Sequence, residues 1–160
     1  MYSKIPMPTV EWTQERMRYV MCFFPMVGIV EGLVVGAWFY AGLDVLGFAP
    51  WTTALVGTCV PVLVTGGIHM DGFLDTMDAL HSYGGRPKKL EILKDPHLGA
   101  FAVISTAVYM MLYLGAANEY ALLLASRQKG AGMVLYAVPL LFFVTERALS
   151  GPVSYTHLTL

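Results

Sequence analysis

Long stretches without charged residues are the feature that most constrains this chain. Residues 45–70 and 98–118 contain no Asp, Glu, Lys or Arg, and residues 19–43 contain a single one, Glu31. Each stretch is at least 21 residues long. A helix that crosses a bilayer needs about 20 mostly apolar residues. These stretches therefore predict three membrane-spanning helices, and residues from about 131 to 150 predict a fourth.

The composition agrees with a membrane protein. Only 13 % of the 160 residues are charged, and the net charge is −1. A soluble domain is about 25 % charged, and a chain without a basic excess has no electrostatic means of binding nucleic acid. We therefore predict an all-α, polytopic integral membrane helical bundle. Cys22 and Cys59 lie within apolar runs and predict buried free thiols.

Basic residues predict how this bundle is oriented. The first 18 residues carry three of them and the 71–97 loop carries four, whereas the connection at 43–50 carries none. The positive-inside rule therefore places the N-terminus and the 71–97 loop in the cytoplasm. We predict that this loop is helical, and it contains both acidic and basic residues. Arg127 and Lys129 then fall outside, which conflicts mildly with this orientation.

Glycines in the first span predict a packing surface. Gly28, Gly32 and Gly36 recur every four residues, so they share one helix face. Small residues at this spacing let a neighbouring membrane helix approach closely.

Three carboxylates follow the second span at the spacing of one helix face. Asp71, Asp75 and Asp78 fall within a wedge of roughly 60°. Like charges at such positions repel each other, and no Lys or Arg occurs between residues 71 and 85. A solvated face is the alternative, but solvated faces usually mix both signs. Because Mg²⁺ prefers carboxylate and water oxygens, the three residues predict a magnesium site.

Further candidates flank these acids. His69 has two interpretations. It could carry a proton or donate a hydrogen bond to phosphate, or it could be an interfacial histidine that is hydrogen-bonded to the backbone. Asp95 is a candidate fourth metal ligand, with Glu91 one helical turn before it, and Lys94 is a candidate phosphate contact. A short amphipathic helix on the lipid surface is the alternative for this segment, and it accounts for the basic residues at 88–89.

Two charged residues fall within or near the predicted spans. Glu31 lies about half-way along the first span, where a carboxylate is functional by default. A protonated glutamic acid hydrogen-bonded between helices is the other interpretation. Arg147, near the end of the fourth stretch, could face the acidic loop and bind phosphate. An ion pair with the adjacent Glu146 is the simpler alternative.

Acidic residues that bind Mg²⁺, together with basic residues at a membrane surface, predict phosphoryl or pyrophosphate chemistry. The candidates for contacting substrate phosphate are Arg86, Lys94 and Arg147. The sequence contains no P-loop, GxGxxG or Ser-His-Asp pattern. This argues against nucleoside triphosphate hydrolysis and dinucleotide redox chemistry.

The segment from Gly66 to Asp78, followed by Arg86, residues 90–95 and Leu98-Gly99, resembles the cobalamin synthase family, the adenosylcobinamide-GDP ribazoletransferases. Residues 5–8, 24–28 and 147–151 are also similar, so the resemblance covers about residues 3–151. It implies a multi-pass enzyme of the cell inner membrane. That enzyme joins α-ribazole, or its 5′-phosphate, to adenosylcobinamide-GDP and releases GMP with the help of Mg²⁺. A second copy or other cobalamin-assembly enzymes are possible partners.

The resemblance carries over to individual positions. The three matches to the family's acidic motif, and hence the implied metal ligands, are Asp71, Asp75 and Asp78. Four other residues match neighbouring positions of the family, and their roles are our hypothesis. We assign catalysis to His69, Lys94 and Asp95, and Glu91 is a further candidate. Glu31 departs from the family, where we expect an apolar residue.

The resemblance also divides the chain. Residues 1–151 correspond to the N-terminal part of the family's chain and form the membrane transferase domain. Residues 152–160 do not resemble the family's continuation, and we expect this tail to be artefactual. The family's later segments could supply substrate contacts, so the activity of residues 1–160 alone is left open.

Three other classes share some of these features. A CDP-alcohol phosphotransferase has Ala-Arg soon after Asp-Gly, whereas here Asp71-Gly72 is followed by Phe-Leu-Asp-Thr. A membrane prenyltransferase usually has two separated acidic motifs. A non-enzymatic transporter subunit would carry its acids deep within a span, whereas these acids lie at the edge of one.

Overall fold

A computed structural model describes residues 24–93, 95, 97–126 and 134–158, and every regular element in these ranges is helical. The helices are α1 (Phe24–Tyr40), α2 (Pro50–Thr65), α3 (Ile68–His81), α4 (Arg86–Ile92), α5 (Ala100–Ser126) and α6 (Val138–Leu158). A π-helical turn (Ala41–Val45) extends α1, and a 3₁₀ turn (Val134–Ala137) precedes α6. The predicted all-α class is confirmed for the described residues.

Two segments are long and apolar enough to cross a membrane, namely Pro25–Val45 and Ala100–Ser126. They correspond to the first and third predicted spans. The helix α6 contains Glu146 and Arg147 and a polar C-terminal part, and it does not meet the same criterion. The described residues thus contain two candidate spans, or three if α2 and α3 together form a broken one.

The second predicted span is not one straight helix. The axes of α2 and α3 differ by 94°, and the break lies at Gly66 and Gly67. Both glycines have left-handed backbone angles, with φ of 66° and 81°, which favour residues without a β-carbon. Their N–H groups donate to the carbonyls of Leu63 and Val62 and so close α2. Apolar composition predicted the length of this stretch but could not show that it changes direction.

The predicted glycine face is confirmed, and its partner is α6 with the turn before it. A β-carbon on Gly28 would overlap the carbonyl oxygen of Phe143, and one on Gly32 would overlap the α-carbon of Leu140. Gly36 packs on the 3₁₀ turn in the same way. The backbones of α1 and α6 therefore approach as closely as small residues allow.

The buried core is small and lies where α1, α2, α5 and α6 meet. Its fully or nearly buried apolar side chains include Phe39, Ala54, Ala121 and Leu124. The Tyr120 ring packs edge-on against Phe39, and its hydroxyl donates to a carbonyl of the 3₁₀ turn. Residues 120–125, too short to cross a membrane alone, are the last turns of α5.

One prediction about burial is wrong. Cys59 is a free thiol, as expected, but its side chain is exposed on α2. An apolar run around a cysteine does not require burial, because a helix in contact with lipid can expose apolar residues on its outer face. Cys22 lies outside the described residues.

Candidate active site and the adjoining cavity

The acidic residues are placed by the sharp break between α2 and α3. After Gly67, the chain starts α3 at Ile68, and the Asp71 N–H donates to the Gly67 carbonyl at 2.9 Å. Asp71 lies in the first turn of α3, and Asp75 follows it one turn later. Both side chains are exposed. The predicted helical spacing is therefore present, and it leaves two carboxylates open to ligands on one helix face.

Asp78 occupies a different environment. It is half-buried, and its carboxylate lies against Gly99, immediately before α5. A β-carbon on Gly99 would overlap the carboxylate oxygens. The start of a helix carries positive partial charge and favours a nearby anion. Asp78 thus helps to join α3 to α5, whereas Asp71 and Asp75 face outward.

The acids do not form a complete metal cage. Among the described residues, no three His, Cys, Asp or Glu side chains come close enough to act as a ligand set. Mg²⁺ commonly takes one or two protein carboxylates and completes its coordination with water and substrate phosphate. The oxygen donors of Asp71 and Asp75 fit that chemistry. Magnesium at this face stays a prediction.

The basic half of the loop is held together by local contacts. Arg86 is exposed at the start of α4, where Pro87 suits the first turn of the helix. Glu91 pairs with Lys88 at 3.2 Å on the surface of α4. Lys89 donates to the Leu80 carbonyl at 2.8 Å and ties α4 to the end of α3. Lys89 therefore makes a structural contact, and α4 ends at Ile92.

Asp95 has a partner that the sequence analysis missed. His97 donates its backbone N–H to the Asp95 carboxylate at 3.0 Å, and its ring Nδ1 lies 2.6 Å from the same oxygen. The ring hydrogen bond, followed by the backbone one, lowers the pKa of Asp95 below its usual value. A polar residue two positions after an acid is the only sequence sign of this pair. Lys94 lies outside the described residues.

A cavity of about 540 Å³ lies between α1, α2, α3, α5 and α6. Most of its wall is apolar and includes the rings of Phe73, Phe142 and Phe143. Its polar side chains come from five helices and are Glu31, Thr65, His69, Tyr109, Tyr113, Glu146 and Arg147. The structure therefore brings together three predicted site residues that lie far apart in sequence, Glu31, His69 and Arg147.

A buried ion pair forms one wall of this cavity. Arg147 donates from Nε and Nη2 to the two carboxylate oxygens of Glu31, at 3.1 Å each. Glu31 is fully buried and Arg147 is 8 % exposed. Glu146 lies 3.5 Å from the Arg147 Nε, so the predicted ion pair between these neighbours is present. Glu31 does bridge two helices, but its partner is a guanidinium, and Arg147 pairs with Glu31 as well as with its neighbour.

His69 connects the cavity to the acidic face of α3, the side that bears Asp71 and Asp75. It lines the cavity from the first turn of α3, and Asp71 follows it by two residues. Tyr109 and Tyr113, on α5, were not singled out from the sequence, although two phenols one turn apart in an apolar span could have marked them. Phe73 of α3 packs against Tyr109 with the ring centres 5.3 Å apart. The cavity and the acidic face thus share one helix.

Comparison with known proteins gives a consistent family. The model of the family described as cobalamin-5-phosphate synthase matches residues 1–154. An adenosylcobinamide-GDP ribazoletransferase of Lachnoclostridium phytofermentans is 45 % identical over 94 % of this chain and 53 % of its own length. Ribazoletransferases of the same name from Clostridium perfringens strain 13 and Brevibacillus brevis are 33 % and 36 % identical, over 94 % and 75 % of this chain.

The matches extend over only part of each relative. The aligned regions cover 56 % of the Clostridium perfringens protein and 48 % of the Brevibacillus brevis protein. The chain therefore spans about half the length of the curated relatives it matches. No solved structure matches the chain.

Proposed function

This chain belongs to the cobalamin-5-phosphate synthase family, and from that membership we propose that it acts as an adenosylcobinamide-GDP ribazoletransferase. The reaction joins α-ribazole, or its 5′-phosphate, to adenosylcobinamide-GDP and releases GMP. Its product is adenosylcobalamin or the corresponding phosphate. Membership argues against the CDP-alcohol phosphotransferase, prenyltransferase and transporter alternatives.

The observation that carries this proposal is the exposed pair of carboxylates on α3. Transfer requires a bond between a ribose hydroxyl oxygen and the phosphorus attached to the corrinoid arm. The bond from that phosphorus to the bridging oxygen of GMP breaks, and the hydroxyl proton passes to a base. A face with two outward carboxylates at the end of a broken apolar segment can serve such a reaction at a membrane surface.

We assign roles to the residues of this face as follows. Asp71 and Asp75 would hold Mg²⁺, and Asp78 would fix α3 against α5. When bound, the metal supplies positive charge to the pyrophosphate and to the leaving GMP. His69 is our candidate for accepting the hydroxyl proton, and Arg86 and Lys94 are our candidates for contacting phosphate.

We also propose the surroundings of the enzyme. Two long apolar segments support a multi-pass protein of the cell membrane. The excess of basic residues in the 71–97 loop supports a cytoplasmic location for the acidic face. Water-soluble GMP would then leave on the side where nucleotides are abundant.

The experiment uses membranes that contain this chain, supplied with adenosylcobinamide-GDP, α-ribazole and Mg²⁺. We expect release of GMP together with a new corrinoid product, separated by chromatography, and loss of both with EDTA. Membranes with the Lachnoclostridium phytofermentans relative serve as the positive control. If the relative is active and this chain is not, the proposal fails for this chain. Product formation that is unaffected by EDTA would overturn the metal assignment.

A further inference from the structure

We propose that the cavity between α1, α2, α3, α5 and α6 binds the base of the ribazole substrate, a planar and weakly basic heteroaromatic ring. The identity of the ligand rests on the proposed function. The location rests on the shape, lining and charge of the cavity. It places the base beneath the acidic face and leaves the corrinoid outside.

The size and walls of the cavity fit a flat bicyclic base. Small-molecule pockets usually measure about 300–1,000 Å³ and are lined mainly by apolar and aromatic groups. This cavity, at about 540 Å³, lies within that range, and it is too small for a corrinoid. The rings of Phe73, Tyr109 and Tyr113 form a continuous aromatic wall, with ring centres 5.3 and 6.1 Å apart. Such walls favour planar aromatic ligands.

The charges of the cavity disfavour phosphate. Arg147 is the one basic residue among the lining side chains apart from His69, and two carboxylates contact it, those of Glu31 and Glu146. Glu31 and Glu146 thus place two carboxylates around the single guanidinium of the lining. A phosphate or pyrophosphate would meet these carboxylates, whereas a ring nitrogen that has taken up a proton would donate a hydrogen bond to one of them. The Glu146 side chain is 46 % exposed and is the carboxylate that a ligand can reach.

The position of the cavity suits the reaction. Met70 and His69 line it, and they are directly followed in α3 by Asp71, whose side chain is exposed. A base held inside would direct its ribose toward this turn, where the hydroxyl must meet the phosphorus. Binding of one substrate in a fixed orientation lowers the entropic part of the barrier.

The test measures binding and does not depend on turnover. The chain in lipid nanodiscs is titrated with benzimidazole and, separately, with indole, which has the same shape but lacks the basic ring nitrogen. Empty nanodiscs give the background. Benzimidazole can take up a proton on its second ring nitrogen and donate it in a charge-assisted hydrogen bond, which indole cannot do. We therefore expect benzimidazole to bind at least about tenfold more tightly than indole. Equal binding of the two ligands, or competition by GMP, would overturn the assignment.

Three variants locate the site. Met70→Trp fills the cavity and should weaken benzimidazole binding about tenfold or more, and Glu146→Gln should weaken it about three- to tenfold. Glu119→Gln changes an exposed glutamate on α5 away from the cavity and should leave binding unchanged. Unfolding midpoints confirm that each variant is folded. Unchanged binding in both cavity variants would overturn the proposal.

The two proposals can fail separately. One outcome is that transfer occurs but the cavity variants bind benzimidazole and α-ribazole as tightly as the unaltered protein does. The cavity assignment is then wrong and the proposed function stands. If both ligands bind in the cavity but the membranes release no GMP, the proposed function is wrong and the heteroaromatic site stands.

Discussion

Two pairs of charged residues lie near His69 and differ in how their charge is balanced. Glu31 and Arg147 line the same cavity as His69, whereas Asp71 and Asp75 follow it in the sequence. Glu31 and Arg147 form a bidentate pair across two helices and are almost fully buried. Asp71 and Asp75 are exposed, and within the part of the chain that the structure describes neither takes part in a salt bridge.

From this difference we propose a structural role for the buried pair and a functional role for the two exposed carboxylates. A buried pair that satisfies itself can hold two helices in register, but its charge is already neutralised and offers little to a substrate. Two like charges on an open face repel each other and gain from an added cation. The sequence shows both as charged residues near membrane spans, and only their surroundings tell them apart.

The largest expected effect comes from breaking the buried pair. Arg147→Met leaves the Glu31 carboxylate buried without its guanidinium, and we expect a loss of about 3–5 kcal/mol in the free energy of unfolding. Reversible unfolding of the purified protein in micelles measures this loss. The double variant Glu31→Leu with Arg147→Met removes both charges and should recover much of it. A loss below about 1 kcal/mol in the single variant would show that the pair does not hold α1 and α6 together.

The acidic face should respond in the opposite way. Asp71→Asn removes one charge from an exposed position, so we expect the unfolding free energy to change by no more than about 0.5 kcal/mol. GMP release should fall about a hundredfold or more, because the carboxylate no longer holds the metal. Lys88→Ala, which removes an exposed surface pair with Glu91, serves as the control and should change neither quantity appreciably. Normal transfer by Asp71→Asn would contradict the assignment.

These contrasts show what the sequence could predict. Uncharged stretches predicted helices at α1 and α5. The four-residue spacing of glycines predicted the close-packing face of α1. The spacing of Asp71, Asp75 and Asp78 predicted that they share one helix. All of these follow from local composition and helical periodicity.

The features that the sequence could not predict depend on contacts between distant segments. The pairing of Glu31 with Arg147 joins residues 116 positions apart. The place of Asp78 against Gly99, and the cavity with its tyrosines, depend on how α3 packs on α5 after the break at the two glycines. Helical periodicity fixes which face a residue lies on, but not which helix that face meets.

Glycine substitutions sharpen the same comparison at a smaller scale. Gly32→Val places a side chain where α1 meets the Leu140 backbone, and we expect a loss of about 1–3 kcal/mol in unfolding free energy. Gly72 on α3 has open space around its β-carbon position. Gly72→Ala should therefore raise stability by up to about 1 kcal/mol through helix propensity. Equal effects in the two variants would mean that α1 and α6 are not closely packed.

The smallest expected effect concerns Asp95, an exposed acid whose charge is supported by a neighbour. The His97 hydrogen bonds lower its folded pKa, so their contribution to stability is present at neutral pH and is lost as the pH falls through that lowered value. His97→Ala removes the ring hydrogen bond but keeps the backbone one. We therefore expect the Asp95 pKa to rise part of the way toward its usual value, as followed by NMR of the carboxyl carbon. His81→Ala is the control, since His81 bonds the Met77 carbonyl instead. An unchanged Asp95 pKa in His97→Ala would show that the ring does not support this acid, and Asp95 would then resemble the open carboxylates of α3.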